Sequence, residues 1–185
     1  MKVSKEIRAR HREQLIKAAS RLLRERGFEV GVAEIAAAAG LTHGAFYAHF
    51  GSKEALCVEA IAQMTRHSGE LAKSSESWDS YIEAYLSPRN ARNRGGGCPY
   101  AALSGDVPRE AASIKAAFSR ALENSLESAA SRMDDSNRAS SRERAIVATA
   151  TMVGAVVLAR AVASEDLREE ILDTVKRKLL NKRPR

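Results

Sequence analysis

Residues 40–56 read GLTHGAFYAHFGSKEAL, and the fold of the chain is predicted outward from these residues. It places Gly40, Leu41 and Thr42 between two short runs of helix-forming residues. Glycine favours the left-handed backbone in which many helices end, and threonine is a good cap for the start of the next helix. Leu41 supplies an apolar plug between the two runs. The stretch therefore predicts two short helices joined by a sharp turn, a helix-turn-helix.

The flanking sequence predicts further helices on both sides of this turn. A first helix spans about residues 5–26 and is stopped by Gly27. A second spans about residues 32–39, the third ends near Phe50, and the fourth starts after the Ser52 cap. Ile35, Ala36 and Phe46 are expected to close the small core beneath the turn.

The rest of the chain also favours helices, because strand-like alternation is absent and aromatic residues make up only 5% of the sequence. Residues 88–97, with their glycine triplet, are expected to form a loop. The expected fold is all-α, with about nine helices in all.

Charge is distributed unevenly along the chain. Residues 1–53 carry 10 basic and 5 acidic side chains, which leaves 20 and 18 of the total of 30 and 23 for the remainder. The first part therefore holds +5 of the net +7. A basic end on a nearly balanced body suggests an acidic polymer as partner, although a solvated charged face is the simpler alternative.

Two features bear on location. Cys57 and Cys98 are too few for a disulfide scaffold, and residues 1–14 lack the apolar segment of a secretory signal, so a reducing cytoplasm is expected. Residues 145–163 are strongly apolar, but Arg160 interrupts them after 15 residues, which is short of the roughly 20 that a bilayer needs. We expect a helix buried in protein and no membrane partner.

The stretch GLTHGAFYAHFGSKEAL closely resembles the hallmark of the TetR family of one-component bacterial transcriptional regulators. A looser resemblance extends through YLSPRNARNRGGGCPYAAL and TMVGAVVLARAV. It implies a three-helix, helix-turn-helix DNA-binding head in residues 1–52 and a helical ligand-binding and dimerisation body in residues 53–185. It also implies double-stranded DNA as a partner, with the chain acting as a homodimer.

By that resemblance, seven positions face DNA: Gly31, Thr42, His43, Gly44, Tyr47, His49 and Lys53. The hydroxyls of Thr42 and Tyr47 can bond phosphate oxygens, and Lys53 lies at a helix start that favours anions. Lys53 could equally be a solvated surface lysine. Gly31 departs from the family pattern, since relatives commonly have Ser or Thr there, and it forgoes a side-chain cap worth about 1 kcal/mol.

A ligand site in the body is implied by the family and by a group of aromatic residues. The expected residues are His67, Trp78, Tyr81, Tyr85, Tyr100 and Phe118. Apolar walls would suit a small hydrophobic or aromatic effector. Aromatic residues at helical spacing are also typical of plain core, and His67 could be a hydrogen-bonded core residue.

Cys98 is a redox candidate, because it follows three glycines and has arginines nearby, conditions that can lower the pKa of a thiol. The alternative is a buried, inert cysteine, which is also the interpretation of Cys57. His43 and His49 are six residues apart and point to different helix faces, so no metal is expected.

The family usually dimerises through its last two long helices, which form a four-helix bundle with the partner's pair. The residues expected in that contact are Met152, Ala155, Val156, Ala159, Ala163, Leu167 and Ile171. No nucleophile–base pair is evident in the sequence, so neither an enzyme nor a cofactor is expected. The leading hypothesis is a repressor that binds a palindromic operator as a dimer and is released by a small molecule. The alternatives are a repressor that senses oxidants or electrophiles through Cys98, and a DNA-binding protein without an effector.

Overall fold

The computed structural model describes residues 5–133 and 138–180, except for the side chains of residues 66–74 and 138. This part of the chain contains helices and connecting turns but no strand, which confirms the all-α prediction. The helices are α1 (Lys5–Arg26), α2 (Val32–Ala38), α3 (His43–Tyr47), α4 (Lys53–Ser74), α5 (Trp78–Tyr85), α6 (Pro88–Arg92), α7 (Pro99–Leu103), α8 (Ala112–Ala130), α9 (Arg138–Ala161) and α10 (Glu165–Leu179).

The described residues thus form ten helices, where about nine were expected. The additional one is α6, which occupies part of the segment expected to be a loop. Pro88 stands at its first position, where the missing N–H costs nothing and the fixed φ suits a helix. The Ser87 side chain accepts a hydrogen bond from the Asn90 N–H and so caps the helix. Serine followed by proline therefore starts a helix here as well as ending the previous one.

Buried side chains form a first core that includes the three head helices and continues into the body. Leu15, Leu23 and Phe46 from the head are fully buried together with Leu56 of α4 and Leu103 of α7. Residues of α8 also belong to this core. The burial is therefore continuous across residue 52, the boundary expected between head and body.

A second core lies in the body, between α5, α7, α9 and α10. Ile82, Leu86, Val156 and Leu172 are fully buried in it. Phe118 of α8 packs against both cores and connects them. The turn between α9 and α10 is held by Arg168, whose Nε donates to the carbonyl oxygen of Ala159 at 2.8 Å.

Helix α9 contains a long apolar segment. Residues Ala139–Ala161 are long and apolar enough to cross a membrane by length and composition alone, and 33% of their most apolar stretch is buried. A core helix of a soluble protein passes the same test. Arg160, near the end of this helix, donates from its Nε to the carbonyl oxygen of Ala91 at 3.0 Å.

The structure corrects part of the expected dimer contact. Met152, Ala155, Val156 and Ala159 are each at most 4% exposed and pack into the second core of their own chain. A side chain enclosed by its own protomer has no surface left for a partner, so these four residues are not dimer contacts in this fold. Among the other expected residues, Ala163 and Leu167 are exposed and Ile171 is half-buried.

Candidate nucleic-acid interface and internal cavity

The turn between α2 and α3 has the backbone geometry that the sequence favours. Gly40 has a φ of +70°, the left-handed conformation that ends a helix most readily on glycine. The Leu41 N–H bonds the Ala36 carbonyl at 2.9 Å, and the Gly40 N–H bonds the Ala37 carbonyl at 3.0 Å. This pair of bonds is the Schellman motif, and it satisfies the last carbonyls of α2. Leu41 packs against the first core, so the turn is fixed from below.

Helix α3 is amphipathic within five residues. Phe46 is fully buried, while its neighbour Tyr47 is 57% exposed. The Tyr47 ring packs against the Phe46 ring at 5.0 Å and the His43 ring at 5.2 Å, so it is supported on two sides although its face is open. Gly44 is exposed, and a Cβ added there would meet nothing within 4 Å. The helix therefore presents an open outer face with little side-chain bulk at its N-terminal end.

Thr42 stands at the N-cap of α3. Its hydroxyl oxygen accepts a hydrogen bond from the Ala45 N–H at 3.2 Å. A hydroxyl that accepts this bond still has a proton to donate, and Thr42 is exposed. Capping and a phosphate contact are therefore compatible at this position.

His49 lies beside α1 and away from the tip of α3. Its ring centroid is 6.0 Å from that of His11. Partial burial, with further contributions from His11, Arg8 and Arg12, lowers the pKa of His49. The lowered pKa favours the neutral imidazole, which can serve as a hydrogen-bonding group rather than as a cation.

Lys53 has a structural partner that the sequence did not reveal. Its Nζ donates to the carbonyl oxygen of Phe28, which connects the start of α4 to the turn after α1. The side chain is half-buried, so it is neither a free surface lysine nor wholly available to a ligand. Gly31, the N-cap of α2, is exposed and has no side-chain cap.

Two arginines of α1 also support this surface and were not identified from the sequence. Arg8 Nη2 donates to the Ala48 carbonyl at 3.0 Å, directly after α3. Arg12 pairs with Glu59 and lies over the Phe50 ring, 4.9 Å from its centroid. Their spacing of four residues on one helix face was the available signal.

A cavity of about 240 Å³ lies in the body. Trp78, Tyr81 and Tyr85 of α5 form one wall, in which the Trp78 and Tyr81 rings stack at 5.4 Å. Tyr100 of α7 lines it as well. Phe118 is not part of the lining and instead packs edge-on against Tyr100 at 5.5 Å. The side chain of His67 lies outside the described residues.

Another part of the lining is more polar than expected from the sequence. Four of its residues come from α8 and the turn that follows it: Asn124, Ser125, Ser128 and Arg132. Ser125, Ser128 and Arg132 recur at intervals of three and four, and this run of polar residues on an inward face was a usable signal. Arg132 lies over the Tyr81 ring at 5.5 Å.

The buried hydroxyls and the thiol of this cavity hold their protons. Burial raises the pKa of Tyr100 to about 12, and it also raises the pKa values of Tyr81, Tyr85 and Cys98. Cys98 lies close enough to Tyr85 for a weak thiol interaction that contributes to the raised pKa of Tyr85, and the Tyr85 hydroxyl has no oxygen or nitrogen partner among the described residues. Burial of Cys98 thus outweighs the nearby glycines and arginines that were expected to favour a thiolate.

The exposed face of α3, seated on a fixed turn within a three-helix head and joined to a helical body, defines a helix-turn-helix protein. Residues 15–60 match the model of a family described as bacterial regulatory proteins, tetR family. A search of curated protein sequences found no match.

Solved structures with the same fold include the reduced form of NemR from E. coli, with 22% identity over 92% of this chain and 95% of that one, at a TM-score of 0.74. A TetR-family transcriptional regulator from Agrobacterium tumefaciens is 17% identical over 92% and 98% of the two chains, at a TM-score of 0.72. A TetR transcriptional regulator from Legionella pneumophila is 19% identical over 96% and 99%, at a TM-score of 0.73.

The family-model match and these shared folds confirm the TetR-family prediction made from residues 40–56. The chain has the fold of a TetR-family transcriptional regulator.

Proposed function

We propose that the chain is a cytoplasmic transcriptional repressor that binds a palindromic operator as a homodimer and is released by a small effector. Residues 1–52 act as the DNA-binding head, and residues 53–185 act as the effector-binding and dimerisation body. The observation that carries the proposal is the exposed face of α3, where Thr42, His43, Gly44 and Tyr47 are open above a buried Phe46.

This face has the chemistry that DNA requires. A protruding helix fits the major groove of B-DNA, which is about 12 Å wide. Thr42 and Tyr47 supply hydroxyls for phosphate oxygens, His43 and Gly44 lie where base edges approach, and Lys53 adds a positive charge at the start of α4. Phosphate contacts set the register of the protein, whereas contacts with base edges determine its sequence preference.

Dimerisation is supported by an uncovered apolar face on α9 and α10. Val147, Val157 and Leu158 of α9 and Leu167 of α10 are between 42% and 63% exposed. The α9 residues recur on one side of this long helix, next to the face that packs into the second core. A second copy of the chain seated on this face would place two heads side by side. One head reads few base pairs, so two heads, spaced about 34–36 Å or a multiple of it, give the specificity that an operator needs.

Footprinting tests the DNA-binding proposal, using fragments of the region upstream of the protein's own gene. We expect a protected palindrome whose half-sites are separated by whole helical turns. His43→Ala should reduce the preference for this site over random DNA. Protection that is uniform along every fragment would contradict a sequence-specific regulator.

Lys53→Ala separates phosphate binding from base recognition. It should weaken binding to all DNA, and the slope of log K against log salt concentration should become shallower by about 0.9 for each phosphate that the protein no longer neutralises. Lys178→Ala, which removes the same charge from an exposed position on α10, is the matched control. Because Lys53 also bonds the Phe28 carbonyl, thermal unfolding of both variants must be measured alongside.

The cavity favours an effector over the effector-free alternative, since a space of about 240 Å³ with an aromatic wall is suited to a small molecule. Thiol sensing through Cys98 is a second candidate function, and the observation in its favour is that Cys98 lines this cavity. Its burial and raised pKa keep it a protonated thiol, which reacts slowly. The thiol hypothesis requires oxidant to abolish operator binding in the wild type but not in Cys98→Ser, and we expect no such difference.

A further inference from the structure

We propose that the cavity binds a neutral aromatic compound of one or two rings that carries a hydrogen-bond acceptor, and that the Tyr85 hydroxyl donates to this acceptor. This inference rests on the proposed function, because it names the chemical class of the effector. It assigns Tyr85 as the residue that distinguishes such a compound from a plain hydrocarbon.

The hydrogen bonding of two buried tyrosine hydroxyls in the cavity supports this assignment. The Tyr100 hydroxyl donates to the Ala121 carbonyl at 2.8 Å and lies 2.6 Å from Ser125 Oγ, so the protein itself satisfies it. The Tyr85 hydroxyl is buried and has no oxygen or nitrogen partner among the described residues. The nearby Cys98 sulfur is a weak acceptor. A buried hydroxyl without a hydrogen-bond partner destabilises the fold, and a ligand atom in the cavity can accept its hydrogen bond.

The protonation state of Tyr85 sets the polarity of that ligand atom. Burial raises the pKa of Tyr85 far above neutrality, so the phenol keeps its proton and acts as a donor. The complementary group on the ligand is therefore an acceptor, such as a ketone, a quinone or another carbonyl oxygen. A hydrocarbon of the same shape would leave the hydroxyl unpaired.

The charges around the cavity exclude a cationic ligand. Among its described lining residues there is no Asp, Glu or Lys, and Arg132 is the charged side chain. Its guanidinium donates to the carbonyls of Ser75 and Ser77 at 3.2 and 3.0 Å and lies over the Tyr81 ring. A ligand cation would find no Asp or Glu among these lining residues to balance its charge, and burial of an unpaired ion is costly.

The size and walls of the cavity limit the ligand to small, flat molecules. A cavity on the order of 150 Å³ lined by apolar side chains accepts benzene, so about 240 Å³ has room for one ring or two fused rings. The stacked rings of Trp78 and Tyr81 offer a flat surface for a planar ligand. Met152 and Val153 of α9 supply apolar contacts on another side.

The chain contains a built-in reporter for a binding experiment, because Trp78 is its single tryptophan and lines the cavity. Four bicyclic probes of similar size are titrated against the full chain without DNA, by Trp78 fluorescence and by calorimetry. They are 1-tetralone as the neutral ketone, tetralin as the hydrocarbon, 1-aminotetralin as the cation and 1-naphthoate as the anion. We expect 1-tetralone to bind most tightly and 1-aminotetralin most weakly.

Tyr85→Phe is the decisive variant, since it removes the hydroxyl and keeps the ring. We expect its affinity for 1-tetralone to fall about five- to tenfold, as for removal of one buried hydrogen bond, while its affinity for tetralin is retained. Retained tetralin binding also shows that the variant is folded with an intact cavity. If Tyr85 were merely structural, the affinities for both probes would fall together, and that result would overturn the proposal.

The outcomes separate this inference from the function on which it rests. Equal binding of 1-tetralone and tetralin to the wild type, or tight binding of 1-aminotetralin, would overturn the ligand class even if operator binding is intact. If 1-tetralone binds in the Tyr85-dependent manner but leaves operator affinity unchanged, the ligand class stands and release by an effector fails.

Discussion

Replacing Gly97 with alanine tests whether the glycine triplet after α6 is a close-packed connection or a loose loop. A Cβ added at Gly97 would lie well under 3.0 Å from the backbone carbonyl oxygen of Asn93 and 2.7 Å from Arg160 Nη2. The carbonyl cannot swing away as a flexible side chain could, because it belongs to the backbone of the same turn. The turn itself must therefore move.

The expected loss in the free energy of unfolding follows from the overpacking and from the hydrogen bond that the movement weakens. Inserting a methyl group into a closely packed site costs about 1–3 kcal/mol. Displacing the turn also weakens the bond from Arg160 Nε to the Ala91 carbonyl, and a hydrogen bond with a charged partner contributes about 1.5–3 kcal/mol. Together these effects predict that Gly97→Ala lowers the free energy of unfolding by about 2.5–6 kcal/mol, which is a fall in Tm of about 5–24 °C for a chain of this size.

Urea and thermal unfolding measure this effect, with Gly105→Ala as the matched control. A Cβ at Gly105 would meet nothing within 4 Å, so that variant should be as stable as the wild type or more stable by up to about 1 kcal/mol. If Gly97→Ala unfolds within about 1 kcal/mol of Gly105→Ala, the turn is not close-packed around Gly97 and the reasoning is wrong.

Three further predictions concern the α3 face, a buried thiol and the α9 face. Tyr47→Phe should weaken operator binding by about fivefold without changing Tm, because only an exposed hydroxyl is removed; an unchanged affinity in a gel-shift titration would remove Tyr47 from the interface. Burial raises the pKa of Cys57 to about 11, so the folded chain keeps a proton that the unfolded chain releases above about pH 9. The contribution of Cys57 to the free energy of unfolding is therefore fully present below about pH 9. It should fall by about 2–3 kcal/mol as the pH rises from about 9 to about 11. Urea unfolding across this range should show a smaller fall for Cys57→Ala. Leu158→Glu should shift the chain from dimer to monomer in sedimentation experiments, whereas Ser119→Glu on α8 should not; a dimer that survives Leu158→Glu places the contact elsewhere.

The helix-turn-helix could be predicted from the sequence because its determinants are local. Gly40 ends one helix and Thr42 caps the next through bonds that span no more than five residues. The outward position of Tyr47 and the inward position of Phe46 followed from the same short stretch. Local chemistry of this kind needs no knowledge of the rest of the fold.

The faces of α9 could not be predicted in the same way. A helix that is apolar on most sides has no polar stripe to set its orientation, so the sequence did not show which side meets its own core. The spacing of Ala155 and Ala159 indicated close packing, but the packing is within the second core of the same chain rather than against a partner. The exposure of Val147 and Leu158 became evident only from the packed structure.

Contacts between distant parts of the chain were similarly beyond the sequence. The bond from Lys53 to the Phe28 carbonyl joins residues 25 positions apart, and neither residue type signals it. The polar wall of the cavity was different, because Ser125, Ser128 and Arg132 recur at helical spacing and could have been recognised as one face.

The burial that runs without interruption from α1 into α4, α7 and α8 limits how this chain could be re-engineered. A chimaera made by cutting at residue 52 would set Leu15 and Leu23 against unfamiliar side chains from another protein. In such a chimaera the side chains at the junction between head and body would no longer fit together, and the two halves would unfold less cooperatively. Designers who want to redirect the operator preference would do better to exchange the outward residues of α3 alone, since these touch solvent and leave this junction intact.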